Sequence, residues 1–299
     1  MRKNLLIYAA ILAGLFIFLS ILDLKGDYVV EQKLWKVNRL YAEVAKDPNA
    51  VSGKTFDQLA KKYQRIINQY PKSDVVQGAY LLLGEVYLLK KDYKTAREKF
   101  ESVVVKYPDN KELAAEAKAR VGRSYELENK WPEALKVYRS IIKEYPLTNV
   151  GMSTPLFLAG HYKNKNDYQN AMQAYAEAIQ FYRNLANQNP DTVFGFNALR
   201  FLANCYLDQN RWKEAVDVLG ETLISYAHSS LLNVPRADLM IKTINMIAAF
   251  QLKDNDVAVN VYRKFIDKYP AHPLSSYLQK MIDAFTKLEQ EGVQVSPQK

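Results

Sequence analysis

Five copies of one spacing pattern constrain this chain more than any other feature. Gly84 is followed by Tyr87, Ala96, Phe100, Val103 and Pro108. Gly122 is followed at the same offsets by Tyr125, Ala134, Tyr138, Ile141 and Pro146. Ala159 starts a third series with Tyr162, Ala171, Tyr175 and Ala178, and Ala203 a fourth with Tyr206, Ala215 and Leu219. Met246 starts a fifth with Ala249, Ala258, Tyr262, Phe265 and Pro270. The starts lie 38, 37, 44 and 43 residues apart. Self-similarity at such a period is the mark of stacked repeats.

The pattern predicts helix hairpins. Helices approach closely only where side chains are small, so Gly84 and Ala96 are expected to mark a crossing, with aromatics filling the space beside it. Short polar turns separate the halves: Lys91-Asp92-Tyr93, Asn129-Lys130-Trp131, Asn166-Asp167-Tyr168, Asn210-Arg211-Trp212 and Asn255-Asp256-Val257. Asn and Asp suit turns and caps, and Pro132 suits a first helical turn. Tyr70-Pro71, Tyr107-Pro108, Tyr145-Pro146 and Tyr269-Pro270 should end second helices, because the residue before Pro avoids the helical region. Many of the 21 tyrosines are thereby explained as core filler.

On these residues the chain resembles the tetratricopeptide-repeat (TPR) family, whose pattern places Gly or Ala, Tyr, Ala, Phe or Tyr, and Pro at these offsets. The resemblance implies an all-α fold, a right-handed α-solenoid of five to six hairpins. It departs from the family where Pro is delayed to Pro190 and Pro235, and where Met246 and Ala249 replace the small residue and the Tyr. The run from Tyr93 to Pro108 resembles bacterial envelope proteins of the BamD and YbgF kind, without the lipobox Cys of the first or the coiled coil of the second.

Before the repeats, residues 28–76 read as a degenerate unit. A helix is expected around Lys33 to Ala45, and Leu59, Tyr63, Ile66 and Pro71 match a second-helix half. The repeats proper span 77–271, a capping helix from about Leu274 to Glu289 lies within 272–291, and 292–299 reads as a disordered tail. Residues 1–27 read as a cytoplasmic tip and a transmembrane signal anchor. Leu5 to Leu22 is an 18-residue uncharged run, about 27 Å as a helix and close to the hydrocarbon thickness. A cleaved signal peptide is the alternative, but no small-x-small site follows the run. Arg2 and Lys3 on one flank predict an N-terminus in the cytoplasm and the rest outside, which in a bacterium is the periplasm.

The net charge is +9, with basic and acidic residues interspersed. That suits a solvated surface and gives no Lys/Arg block for nucleic acid. The lone Cys205 forms no internal disulfide or metal cluster and reads as a buried apolar side chain. His161, His228 and His272 are scattered, no phosphate loop or nucleophile elbow is present, and the repeats use up the chain. No catalytic residue, metal site, cofactor or small-molecule substrate is expected.

The expected activity is protein binding. The resemblance places groove-facing residues on each first helix: Glu85, Arg123, Lys163, Arg200, Asn204 and Asp208 as polar members, with Leu81, Leu88, Leu127, Leu207 and Phe250 as apolar ones. Such a mixture suits an extended peptide or a partner helix. One branch of the family clamps a C-terminal carboxylate. Arg200 and Asn204 match one arm, while Thr243 and Ile247, or Leu156 and Gly160, leave the clamp incomplete. The reading is a membrane-anchored scaffold, assembly or accessory subunit of an envelope complex. The alternatives are an adaptor or chaperone for exported segments, or a non-catalytic subunit of a membrane enzyme.

Overall fold

A computed structural model of the chain describes residues 27–290, with side chains to Lys287. The described residues form thirteen α-helices and no strand. The anchor expected at Leu5 to Leu22 and the tail at 292–299 lie outside them. No helix among the described residues is long and apolar enough to cross a membrane.

Two compact units meet in the chain at Gly151 and Met152. Unit 1 holds three hairpins: α1 (Asp27–Lys46) with α2 (Gly53–Gln69), α3 (Gln77–Leu89) with α4 (Tyr93–Lys106), and α5 (Lys111–Leu127) with α6 (Trp131–Glu144). Unit 2 begins in the first turn of α7 (Asn149–Asn164), which pairs with α8 (Tyr168–Gln188). It continues through α9 (Val193–Asp208), α10 (Trp212–Ser225), α11 (Val234–Met246), α12 (Asp256–Lys268) and α13 (Pro273–Gln290).

Four hairpin turns are built alike. Lys91, Asn129, Asn166 and Asn210 adopt left-handed backbone, with φ from 57° to 64°. In each, the next amide donates to the carbonyl of the repeat tyrosine five residues back: Asp92 to Tyr87, Lys130 to Tyr125, Asp167 to Tyr162 and Arg211 to Tyr206. This closes the last helical turn as a Schellman motif. Asp92 and Asp167 then cap the following helix, accepting from the amides of Thr95 and Asn170 at 3.2 Å. At the other end, Tyr70, Tyr107, Tyr145 and Tyr269 all leave the helical region before their prolines.

The fifth turn corrects the expected register. Its left-handed residue is Lys253, two residues ahead of the expected Asn255-Asp256-Val257 turn. Asp254 donates to Ala248, six residues back, because α11 continues as a π-turn over Ile247–Leu252. A π-turn adds one residue to a helix. The structural counterparts of the small residue and the Tyr are therefore Asn245 and Ala248, in place of Met246 and Ala249. Met246 is 54% exposed, whereas Ala203 at the matching point of α9 is buried.

The crossings show why the small residues are needed. A Cβ on Gly84 would stand 2.3 Å from the Phe100 ring, and one on Gly122 would stand 2.8 Å from Tyr138. The groups that fill the glycine space are thus rings one turn beyond Ala96 and Ala134, which are themselves buried. At the fifth crossing Asn245 instead accepts a 2.5 Å hydrogen bond from the Tyr262 hydroxyl. The longer spacings also have separate causes. Helix α8 has 21 residues where α4 and α6 have 14. Between α10 and α11 the extra residues lie in the connecting turns.

Pro155 lies inside α7. The buried Tyr182 hydroxyl, from α8, donates to the Met152 carbonyl at 2.6 Å and faces the Leu156 amide at 3.3 Å. It takes the place of a ladder bond beside a residue that has no amide hydrogen. Cys205 is buried, as expected. Burial pushes its thiol up to about 12, with the Asp208 carboxylate adding to the effect.

Candidate protein-binding faces

In unit 1 the first helices bring four side chains together. Glu85 on α3, with its side chain 13% exposed, accepts from the Arg120 Nε on α5 at 2.9 Å. Arg120 also reaches the Glu116 carboxylate at 3.3 Å, one turn back. Tyr41 on α1 is raised by burial and by the Glu85 carboxylate, while Arg123 and Arg120 pull it down. A face drawn from α1, α3 and α5 thus carries Tyr41, Glu85, Arg120 and the exposed Arg123. Leu127 is exposed beside it in sequence, but Leu81 and Leu88 are buried in the cluster around Phe100. Helix α3 is apolar nearly all round, so those two expected groove residues pack inward. Arg120 and Tyr41 escaped the sequence reading. The Glu116–Arg120 spacing was the available signal for the first, and the irregular first repeat hid the second.

In unit 2 Lys163 and Asp208 meet at the ends of α7 and α9. The Lys163 ammonium donates to the Asp208 carbonyl at 2.5 Å. The Asp208 carboxylate accepts from the Tyr175 hydroxyl of α8 at 3.3 Å. Burial, reinforced by that carboxylate, raises the tyrosine's pKa. Asn204 is exposed one turn earlier on α9. Arg200 leans on Asn197 at 3.3 Å, and its guanidinium lies 5.9 Å from the Phe196 ring. Arg236 of α11 lies 5.5 Å from the same ring. Nothing in the repeat pattern pointed to Arg236, because it follows the lengthened connection.

The corrected register changes what stands level with Arg200 and Asn204 on α11. The matching residues are Lys242 and Met246, in place of Thr243 and Ile247. Lys242 is held by Asp238 at 2.7 Å. Leu239 and Met246 are exposed on that helix, Phe157 is exposed on α7, and Leu207 and Phe250 are half-buried.

Two of the three scattered histidines come together. The rings of His228 and His272 are 5.3 Å apart. Both ring nitrogens of His272 are engaged, Nε2 with the Ala227 carbonyl at 3.0 Å and Nδ1 with the Leu274 amide at 3.1 Å. Nδ1 accepts, so Nε2 carries the hydrogen. His272 is therefore an anchor for the start of α13, with no lone pair directed at a metal. Among the described residues no group of three metal-ligating side chains forms.

Comparison with known proteins gives the fold a family. A model described as Tetratricopeptide repeat matches residues 156–232, and a second of the same description matches 79–110, 120–148 and 246–272. No curated protein matches the chain. Similar solved structures include the kinesin light chain TPR-like repeats of Podosopora anserina, 13% identical, covering 65% of this chain and 97% of that one with a TM-score of 0.35. The TPR2AB domain of yeast Sti1, solved as a pHSP90 complex, is 14% identical and covers 87% and 97% with a TM-score of 0.34. BtubC from P. vanneervenii is 11% identical and covers 88% and 95% with a TM-score of 0.39. The two matching models together take in more than half of the residues and lie in both units, so the chain belongs to the tetratricopeptide-repeat proteins.

Proposed function

We propose that this chain is a membrane-anchored interaction scaffold, an assembly or accessory subunit of a cell-envelope complex that catalyses nothing itself. TPR proteins generally mediate protein–protein interactions. The observation that carries the reading is the pair of faces on the first helices. Each mixes engaged charges, such as Glu85–Arg120 and Lys163–Asp208, with exposed polar side chains at Arg123, Arg200 and Asn204. Exposed Leu127 in unit 1, and Phe157, Leu239 and Met246 in unit 2, supply apolar contacts. Such a surface suits an extended segment or helix of another protein.

The uncharged run from Leu5 to Leu22 supports anchoring in a bacterial inner membrane, with Arg2 and Lys3 on the cytoplasmic side and the repeats in the periplasm. The resemblance to envelope proteins of the BamD and YbgF kind agrees with that setting. A second reading, transient capture of exported peptide segments, draws support from Arg200 and Asn204. Both are exposed on one face of α9.

Gentle solubilisation of native membranes and pull-down through a C-terminal tag separates the two. Partners in constant ratio after a salt wash support the permanent subunit. Heterogeneous clients that wash away support the adaptor, and recovery of the chain from the soluble fraction removes the anchor.

A further inference from the structure

Helix α1 has two faces with different fates. Val30, Leu34, Val37 and Val44 are buried in the core of the first hairpins. The opposite face carries Tyr28, 65% exposed, and Trp35, 58% exposed. Seven residues apart on a helix, they share one face two turns from each other. Arg39 lies one further turn along, its guanidinium 5.0 Å from the Trp35 ring. Neither aromatic is needed to hold α1 in place, since the inward face does that. Two large aromatics on one exposed helix face form an apolar stripe of the kind that interaction surfaces carry.

We propose that this face of α1 rests in the headgroup layer of the membrane, against anionic phospholipid. The inference depends on the anchoring reading above. Only Asp23 to Gly26 separate the uncharged run from α1, so this helix is the described part of the chain nearest the bilayer. Tyr and Trp favour that depth, because an apolar ring body and a polar N–H or O–H suit the boundary between lipid and water.

The neighbouring helix carries basic side chains on its own exposed side, while Glu31 is the exposed acidic group between Tyr28 and Trp35. Lys54, Lys61, Lys62 and Arg65 are exposed on α2. The one carboxylate of that helix, Asp57, is held by Lys90 at 2.6 Å. Basic side chains beside a membrane are attracted to anionic headgroups within a Debye length. An acidic protein would answer the charge, but the position beside the anchor favours lipid.

The test uses the full chain reconstituted into vesicles of phosphatidylcholine with phosphatidylglycerol. Flotation in urea reports whether the chain is anchored. The difference in tryptophan emission between the natural chain and Trp35→Phe isolates Trp35, and that exposed substitution leaves the core untouched. The expected result is a blue-shifted Trp35 signal, protected from iodide and quenched by lipids brominated near the headgroup. Lys61→Gln with Lys62→Gln and Arg65→Gln, or vesicles of phosphatidylcholine alone, should weaken that quenching. A floating chain whose Trp35 stays water-like and iodide-accessible overturns the proposal and leaves the anchor intact. So does a Trp35 that is protected from iodide yet untouched by brominated lipid, which means that protein covers it. A chain that does not float overturns the anchor, and the proposal with it.

Discussion

Unit 1 and unit 2 use the same hairpin and hold successive helices together by different means. In unit 1, ion pairs link one helix to another: Lys90–Asp57, Arg97–Glu128, Lys118–Glu144 and Arg120–Glu85. In unit 2, Arg183–Glu221 does the same, but tyrosine hydroxyls on backbone carbonyls recur. Tyr182 reaches Met152, Tyr226 reaches Thr192 and Tyr269 reaches Ile224. Charge follows the same division. Residues 27–151 carry 23 Lys/Arg against 17 Asp/Glu, and residues 152–290 carry 14 against 13. The strict repeats tolerate surface charge because glycine and ring already define their crossings. In the irregular unit, Tyr182 satisfies backbone beside Pro155 that the helical ladder leaves open, and Tyr226 and Tyr269 add part-buried hydroxyl bonds to carbonyls of other helices and turns.

Substitutions at the crossings probe this contrast most strongly. Phe100→Ala empties the space against Gly84 and should cost about 3–5 kcal/mol in chemical denaturation. Tyr182→Phe keeps the ring but strips the hydroxyl from the Met152 carbonyl and the Leu156 amide, and should cost about 1–3 kcal/mol. Removing a hydroxyl in unit 1, by Tyr138→Phe, takes away a bond to the half-exposed Glu126 and should cost less. If the two phenylalanine variants lose the same stability, the proposed division of labour is wrong.

Glycine-to-alanine changes should act with opposite sign at Gly84 and at Gly160. Gly84→Ala forces the new methyl against Phe100 and should destabilise by about 1–3 kcal/mol. Gly160→Ala in α7 meets nothing within 4 Å and should stabilise by about 0.5–1 kcal/mol through helix propensity. Thermal denaturation of each variant checks both signs.

Two smaller effects follow from charge. The folded state raises the Cys205 thiol to about 12 from an ordinary 9.0, so it binds that proton more tightly than the unfolded chain does. The associated stability is fully present below the unfolded value and is lost as pH rises from there through the folded one. The native thiol should therefore resist alkylation at mildly alkaline pH and react fully once denatured. Least of all, high salt should weaken unit 1 more than unit 2, by a few tenths of a kcal/mol for each exposed pair. Hydrogen exchange resolved by helix would show it.

The hairpins, the four alike turns and the proline-ended helices were legible in the repeat pattern, because each rests on local backbone chemistry. The left-handed positions could be read at Asn129, Asn166 and Asn210, and less well at Lys91 and Lys253, where lysine gives no such signal. The π-turn left no trace in the sequence, since Met246 kept the spacing while Asn245 took the place in space. The meeting of Lys163 with Asp208 and of Glu85 with Arg120 depends on how neighbouring helices pack, which spacing along one helix does not encode. Leu81 and Leu88 were misplaced for the same reason: a helix packed on several sides buries positions that a two-sided hairpin would expose.

The account rests on the first-helix faces being where partners bind. Pull-down from native membranes with Arg123→Glu and with Arg200→Glu, each beside the exposed control Lys264→Glu, tests it most directly. The account predicts that at least one face variant loses partners that the natural chain and the control retain, while all three melt alike. Full retention of every partner by both face variants would contradict it.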